Sequence, residues 1–276
     1  MVKQLSVSIV LYQNSSEVEL AVASVLNTSL DIILYLIDNS PTGQLKYLAS
    51  NDRVIYLFNN ANLGYGAAHN IAMQKSIAQN IKYHLVMNPD ITFPQGTLER
   101  IYDFMNQHQD VGSLMPKVFG LDGSVQKLCK LLPTPLNLLG RRFLGKLAWA
   151  ERMNDKYELS GFNYNDILNV PSLSGCFMFI RTSILAKSGL FDPRYFMYLE
   201  DYDLGRRIHS VSKTIFYPEA SVIHTHAKES YKNKTLLKIH MRSAISYFNK
   251  WGWVFDKERS RFNKAVLLEL QHKKEK

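Results

Sequence analysis

The chain has 276 residues, 46% hydrophobic and 12% aromatic, with a net charge of +9. This is an ordinary globular composition with apolar material for one sizeable core or two closely packed ones. No apolar run reaches the ~18 residues of a membrane-crossing helix and no signal peptide is legible, so the cytoplasm is the expected location. Cys129 and Cys176 lack metal-site spacing and read as reduced, structural residues. The excess charge is segregated: from Lys228 to Lys276 there are 13 Lys or Arg against 5 Asp or Glu, a net of +8. A basic tail of this kind suits an anionic surface or is simply a solvated helix face.

Residues 5–12 form a β-branched run that predicts a strand, and Asn14, Ser15 and Ser16 then cap a helix over 18–26. Residues 31–38 are near-continuously apolar, as a strand covered on both faces should be, and end in Asp38, Asn39 and Ser40. Third and fourth strands are predicted over 53–58 and 83–87, with helices over 67–79 and 97–108. Such alternation argues for a parallel sheet with helices on both faces.

These strands run into polar loops that share one sheet edge: Tyr12 to Asn14, Asp38 to Ser40, residues 59–66, and Asn88-Pro89-Asp90. An Asp at the carboxyl end of a buried strand points at a substrate or a metal, whereas a plain strand-to-loop turn is the bland alternative. Gly64 and Gly66, just before a helix, leave amides free to approach a phosphate or ribose. The third glycine of G-x-G-x-x-G is missing, which disfavours an NAD site.

Apolar and basic residues alternate around two prolines over 131–146, predicting an irregular loop with a short helix or a flap over a membrane or substrate. Residues 153–169 are polar and read as a mobile connection. A strand is expected over 173–180, a short helix over 181–188, and a further helix opened by Glu200, Asp201 and Asp203, acids that the helix dipole alone would favour. Two more strands are predicted, over 213–217 and 220–223. His224 and His226 then share one strand face, an arrangement suited to a metal and also common at surfaces. The apolar helix face over 236–248, with Trp251 and Trp253 beyond it, packs a core or meets a bilayer interface.

The order and spacing of Val10-Leu-Tyr12, Asp38, Asn62-Leu-Gly64-Tyr-Gly66-Ala-Ala-His69-Asn70, Asn88-Pro-Asp90, Ser174-Gly175, Phe191-Asp192, Glu200-Asp201 and His224 resemble the inverting family-two glycosyltransferases. Residues 132–135, 141–143 and 247–253 are similar to the rhamnosyltransferases that build bacterial surface polysaccharide such as the O antigen of lipopolysaccharide. The resemblance implies a GT-A fold, the Rossmann-like α/β fold of nucleotide-diphospho-sugar transferases: a mixed sheet flanked by helices over 1–227. A basic helical extension over 228–276 would pack on that domain and on an anionic membrane.

The same resemblance implies a role for each loop. Val10, Tyr12, Asp38, Asn39, Asn62, Gly64, Gly66, His69, Asn70, Asn88, Asp90, Gly175 and Glu200 would bind the nucleotide-sugar. Asp90 and His224 would hold a divalent ion, Mg2+ or Mn2+, and Asp201 would be the catalytic base. Asn88 replaces the first acid of the family's DXD motif and leaves less negative charge for the metal. The expected donor is dTDP-L-rhamnose and the expected acceptor a lipid-linked saccharide. A UDP-hexose donor is the alternative within the fold; a basic glycan- or nucleic-acid-binding protein is the alternative in another class. Segregation of the charge from the acidic loop ends argues against nucleic acid.

Overall fold

Seven consecutive buried residues make β1 (Leu5–Leu11), and the same continuous burial recurs in β4 (Tyr83–Met87), as expected of strands covered on both faces. The structure, a computed structural model, describes residues 3–14, 17–140, 148–225 and 234–274. The cap residues Ser15 and Ser16, residues 141–146 of the expected flap and His226 lie outside these. With β2 (Ile32–Asp38) and β3 (Val54–Phe58), β1 and β4 form a parallel block in the order β3-β2-β1-β4. Helices α1 (Val18–Leu26) and α2 (Tyr65–Ala78) and the 3-10 turn Gln44–Ser50 make its crossovers.

Beyond β4 the sheet turns mixed. After β5 (Ile91–Thr92) and α3 (Thr97–Gln107) come β6 (Val111–Phe119), a π-helical turn Leu136–Gly140, α4 (Ala148–Tyr157), β7 (Leu168–Asn169) and β8 (Phe177–Arg181). β8 lies antiparallel between β4 and β6, which corrects the all-parallel expectation drawn from helix-strand alternation. β6 escapes a sequence reading because Gly112 and Pro116 interrupt its pattern, and its pairing slips at both places. A Cβ on Gly112 would come within 2.0 Å of Ser212 Oγ. The two strands expected over 213–223 are one, β9 (Lys213–His224), whose register against β6 jumps from Tyr217 to Ser221. Residues 173–176 are loop, with β8 starting only at Phe177. Nor is the 153–169 connection built for mobility, since Tyr157, Leu159, Phe162 and Tyr164 are buried and the Cys129 amide donates to the Tyr164 hydroxyl.

The remaining helices are α5 (Thr182–Ser188), α6 (Glu200–His209), α7 (Lys234–Trp251) and α8 (Lys257–Lys274). Ala244, Tyr247 and Phe248 of α7 pack against Tyr195 and Leu199, directly before α6. Arg206 of α6 is 1% exposed: its guanidinium makes two bonds of 2.7 and 2.6 Å to the Asp256 carboxylate and one of 2.7 Å to Glu258. It also stacks 4.0 Å from the Trp251 ring centroid. The Trp251 indole in turn donates to Asp203, which Lys250 also meets. Trp251 is therefore turned into the domain, and of the two tryptophans expected at a bilayer only Trp253 faces outward. Replacing Arg206 with Met should destabilise the protein by about 3–5 kcal/mol, because Asp256 would remain buried without its bidentate partner, with only Arg259 at 3.9 Å left as a cation. Urea unfolding measures this, and a loss below about 1 kcal/mol would show the pair to be dispensable.

Candidate active site

Parallel pairing puts the carboxyl ends of β1, β2 and β4 on one edge, where open α/β sheets bind ligands. The antiparallel β8 begins opposite Met87, so the Ser174–Cys176 turn reaches the same edge, and His224 at the end of β9 pairs with Ile91 just beyond Asp90.

On the β2 side, Asp38 is buried; one carboxylate oxygen accepts the Ser40 amide and the other the Tyr56 hydroxyl. The Asn39 side chain accepts from Asn59 and donates to the Gly64 carbonyl, while Asn62 accepts the Gly64 amide at 3.0 Å. Gly64 has φ +85°, and a Cβ there would meet the Phe196 carbonyl oxygen at 2.3 Å. Only glycine fits. Gly66 is constrained by Phe191, whose Cβ would lie 2.8 Å from an added methyl. Tyr12 is half-exposed at the rim, and Val10 sits beneath it in a small apolar cluster with Tyr35, Ile37, Ala68 and Ala72.

Two of the predicted pocket residues turn inward. His69 is completely buried, its Nδ1 2.7 Å from Ser8 Oγ, which also contacts His84 Nε2 at 2.9 Å. Burial pushes both imidazoles well below their ordinary pKa, so this is a neutral network inside the core. The Asn70 side chain spends both polar ends on the backbone of Phe191 and fixes the Phe191-Asp192 turn.

The acidic side is built on strain and burial. Tyr198 and Leu199 both have positive φ, +69° and +66°, immediately before α6. Such conformations cost of order 1–3 kcal/mol each in non-glycine residues and mark sites where position matters more than local comfort. They deliver Glu200 and Asp201 to the sheet edge. Asp201 accepts the Gly175 amide on Oδ2 at 3.0 Å and the Tyr202 amide on Oδ1 at 2.9 Å. Burial raises its pKa, and those two amides and the Lys130 charge partly oppose the rise. Glu200 is buried with one oxygen lacking a hydrogen bond, and burial together with the Asp201 charge lifts its pKa well above the carboxylate range.

Tyr65 is the residue that sequence reading passed over. Its hydroxyl lies 3.0 Å from Asn88 Oδ1 and 2.8 Å from the Gly175 carbonyl, joining the Asn-Pro-Asp turn to the turn that holds Asp201. One hydroxyl proton serves one acceptor. If it goes to Gly175, the Asn88 amide completes the arrangement by donating its NH2 to the tyrosine oxygen. Burial, then the neighbouring acids, keep this phenol protonated. Its only sequence signal was its place between Gly64 and Gly66.

Asp90 Oδ2 and His224 Nε2 are 3.3 Å apart. His224 Nδ1 faces Gln126 Oε1 at 3.1 Å; in the tautomer that donates there, Nε2 turns its lone pair toward the carboxylate. A carboxylate oxygen and an imidazole nitrogen so placed fit a divalent ion. No cluster of three or more His, Cys, Asp or Glu suited to a metal occurs among the described residues, so diphosphate and water oxygens would complete such a shell.

The raised Glu200 pKa has a defined sign. A carboxyl whose folded pKa exceeds its unfolded value contributes stability below the unfolded pKa and loses it as pH rises through the folded one. Glu200→Gln should therefore melt higher than the unmodified protein at neutral and alkaline pH, with the difference closing toward pH ~4, near the unfolded value. Thermal melts across pH measure it, and a difference independent of pH would contradict the shift.

The sequence profile of Glycosyl transferase family 2 matches residues 6–189, from β1 through α5. The chain is 29% identical over 264 residues to the N-acetylglucosaminyl-diphospho-decaprenol L-rhamnosyltransferase of Mycobacterium tuberculosis, covering 90% of this chain and 86% of that one. It is 24% identical over 204 residues to the low-salt glycan biosynthesis hexosyltransferase Agl10 of Haloferax volcanii, covering 74% of this chain and 61% of the relative. Among solved structures it resembles GalNAc-T7 with UDP, GalNAc and Mn2+, at a TM-score of 0.62 and 16% identity over 91% of this chain and 50% of that one. It also resembles S. aureus TarS, at 0.61 and 13% over 96% and 43%. At such identities the likeness carries the fold alone. With that profile over most of the parallel block and β8, and acidic loop ends gathered along one edge of a mixed GT-A sheet, the chain belongs to glycosyl transferase family 2 and is a glycosyltransferase.

Proposed function

We propose that the protein transfers L-rhamnose, from dTDP-L-rhamnose, to a lipid-linked saccharide with inversion at the anomeric carbon. The observation that carries the inverting step is Asp201: a half-buried carboxylate held by two backbone amides, each of its oxygens keeping a lone pair for a proton. The acceptor hydroxyl oxygen bonds to the anomeric carbon, the bond to the nucleoside diphosphate breaks, and the hydroxyl proton passes to Asp201. A divalent ion bound at Asp90 and His224 would offset the charge on the leaving diphosphate. Asp38, Asn39, Asn62 and the Gly64 to Gly66 backbone would hold the nucleoside, with Tyr65 and Asn88 linking that pocket to the base. Rhamnose and a lipid-linked acceptor are supported by the relative from M. tuberculosis, whose name specifies both.

Peripheral attachment to an anionic membrane accompanies this reading. No helix among the described residues is long and apolar enough to cross a membrane. α7 presents Lys238, Arg242 and Ile245 outward and leads to Val254 and Phe255, 74% and 93% exposed. Basic residues beside exposed apolar ones suit an anionic interface. Truncation is a poor test here, since Asp256, Arg259, Phe262 and Val266 are buried. Phe255→Asp should instead reduce sedimentation with phosphatidylglycerol vesicles, and unchanged sedimentation would refute attachment through this tip.

The donor is tested by a thermal-shift screen of dTDP, UDP, GDP and NAD with and without Mn2+. A ligand at 100 times its Kd adds about 2.7 kcal/mol of stability. Metal-dependent stabilisation by dTDP above UDP is expected, and Asp90→Ala should abolish the metal dependence. A preference for UDP would replace rhamnose with a hexose, and no nucleotide response would contradict the assignment of this edge as the donor site.

A further inference from the structure

A cavity of ≈370 Å3 opens between the 131–137 loop, α4 and α8, on none of the loops assigned to the donor. Leu132, Met153, Tyr157 and Leu267 give it an apolar wall, Asn137 and Ser260 are among the polar residues that line the rest, and Lys156 and Lys264 border it. Both lysines are exposed, one from α4 and one from α8, and neither makes an ion pair with a carboxylate among the described residues. The cavity is a fixed feature of the fold. Asn263 of α8 bonds twice to the loop backbone, accepting the Leu132 amide at 2.8 Å and donating to the Leu132 carbonyl at 2.9 Å, while the Leu131 amide donates to the Tyr157 carbonyl.

Its position relative to the base gives it meaning. Tyr157 is shared between the cavity and the active site: the ring lines the cavity, and the hydroxyl lies 2.6 Å from that of Tyr202. The amide of Tyr202 is one of the two that hold Asp201. Lys130 stands over the same Tyr157 ring, 5.8 Å from its centroid, and its charge reaches Asp201. A molecule seated here lies against Lys156 and Lys264, and Tyr157 and Lys130 connect the cavity to Asp201.

We propose that this cavity binds the diphosphate and the first isoprenoid units of the lipid-linked acceptor, so that the attached sugar is presented to Asp201. The assignment rests on the reading of the acceptor as lipid-linked and is independent of the donor sugar. Two separated ammonium groups match the charge of a diphosphate, and the apolar walls match the chain that follows it. The volume lies at the lower end of the ~300–1,000 Å3 typical of ligand sites, enough for the head of such a lipid with the rest of the chain running out along the protein. A free phosphate would have no use for the apolar walls. Because the lysines come from different helices, only the folded C-terminal region completes the site.

Farnesyl diphosphate is the probe, titrated by calorimetry into the full-length protein with its donor site blocked by saturating nucleotide. It should bind at least tenfold more tightly than farnesol or inorganic diphosphate, each carrying only half of the recognised chemistry. The double variant Lys156→Glu/Lys264→Glu should weaken that binding at least tenfold, Lys156→Arg/Lys264→Arg should retain it, and nucleotide affinity should be the same in all three. The variant should raise KM for a lipid-diphosphate acceptor while leaving KM for a soluble glycoside acceptor unchanged. Equal binding of inorganic diphosphate would overturn the proposal in favour of a simple anion site. Competition by phosphatidylglycerol vesicles would overturn it in favour of a bilayer headgroup site, and undiminished binding by the Glu variant would place the probe elsewhere. A donor screen without nucleotide response leaves this result interpretable, since the lipid titration then runs on the same protein without a blocking nucleotide. Failure of one reading is thus separable from failure of the other.

Discussion

The bidentate pair between Arg206 and Asp256 ties the chain's last sixth to the helix that carries Glu200 and Asp201. Arg206 lies five residues beyond Asp201 on α6, is buried, and is sandwiched between a carboxylate and the Trp251 ring. Two buried charges are tolerable only when geometry and hydrogen bonding are nearly complete, and here each guanidinium nitrogen has a carboxylate partner. Asp203, one turn earlier, is satisfied by Trp251, Lys250 and Arg207 in the same way. The helix is thus anchored along its length by α7, α8 and the link between them, and its first turn can be strained. Without that anchor, two consecutive left-handed residues at 198 and 199 would relax and Glu200 and Asp201 would leave the sheet edge.

The other half of the site depends on strand direction. Parallel strands must end together, so Asp38 and the Asn-Pro-Asp turn come to one edge without further instruction. The antiparallel β8 is what makes a second wall, because entering the sheet at that edge it brings Gly175 beside Asn88. Tyr65 then crosses between them. A phenol in this position gives the two walls a shared hydrogen bond without adding charge to a cluster already rich in acids.

How much of this is legible in the sequence follows from the range of each interaction. β1, β2, β4 and α3 are written in local patterns of burial, and the strand-end acids follow from them by topology. β6 is not legible, because Gly112 and Pro116 mark bulges that only the neighbouring β9 makes sense of. His69 and Asn70 sit within the Asn62 to Asn70 motif but serve Ser8 and Phe191, 61 and 121 residues away, which no local spacing announces. The charge of the C-terminal region misleads in the same way. Lys250 and Arg259 look like members of a basic surface, yet they neutralise buried carboxylates or backbone carbonyls, and Trp251 belongs to the same interior cluster. What remains for an outside partner is narrower than net charge suggests: the outward face of α7 with its apolar tip, and the paired lysines above the 131–137 cavity.

The account turns on Asp201 acting as a base and not as a nucleophile. The measurement that tests this most directly is the anomeric configuration of the first-formed product, read by NMR during transfer from the donor that the protein accepts. A configuration opposite to that of the donor sugar is predicted, with Asp201→Asn forming no product while still binding nucleotide. Retained configuration would contradict the account, because it would require a nucleophile at the anomeric carbon in place of a proton acceptor on the incoming hydroxyl.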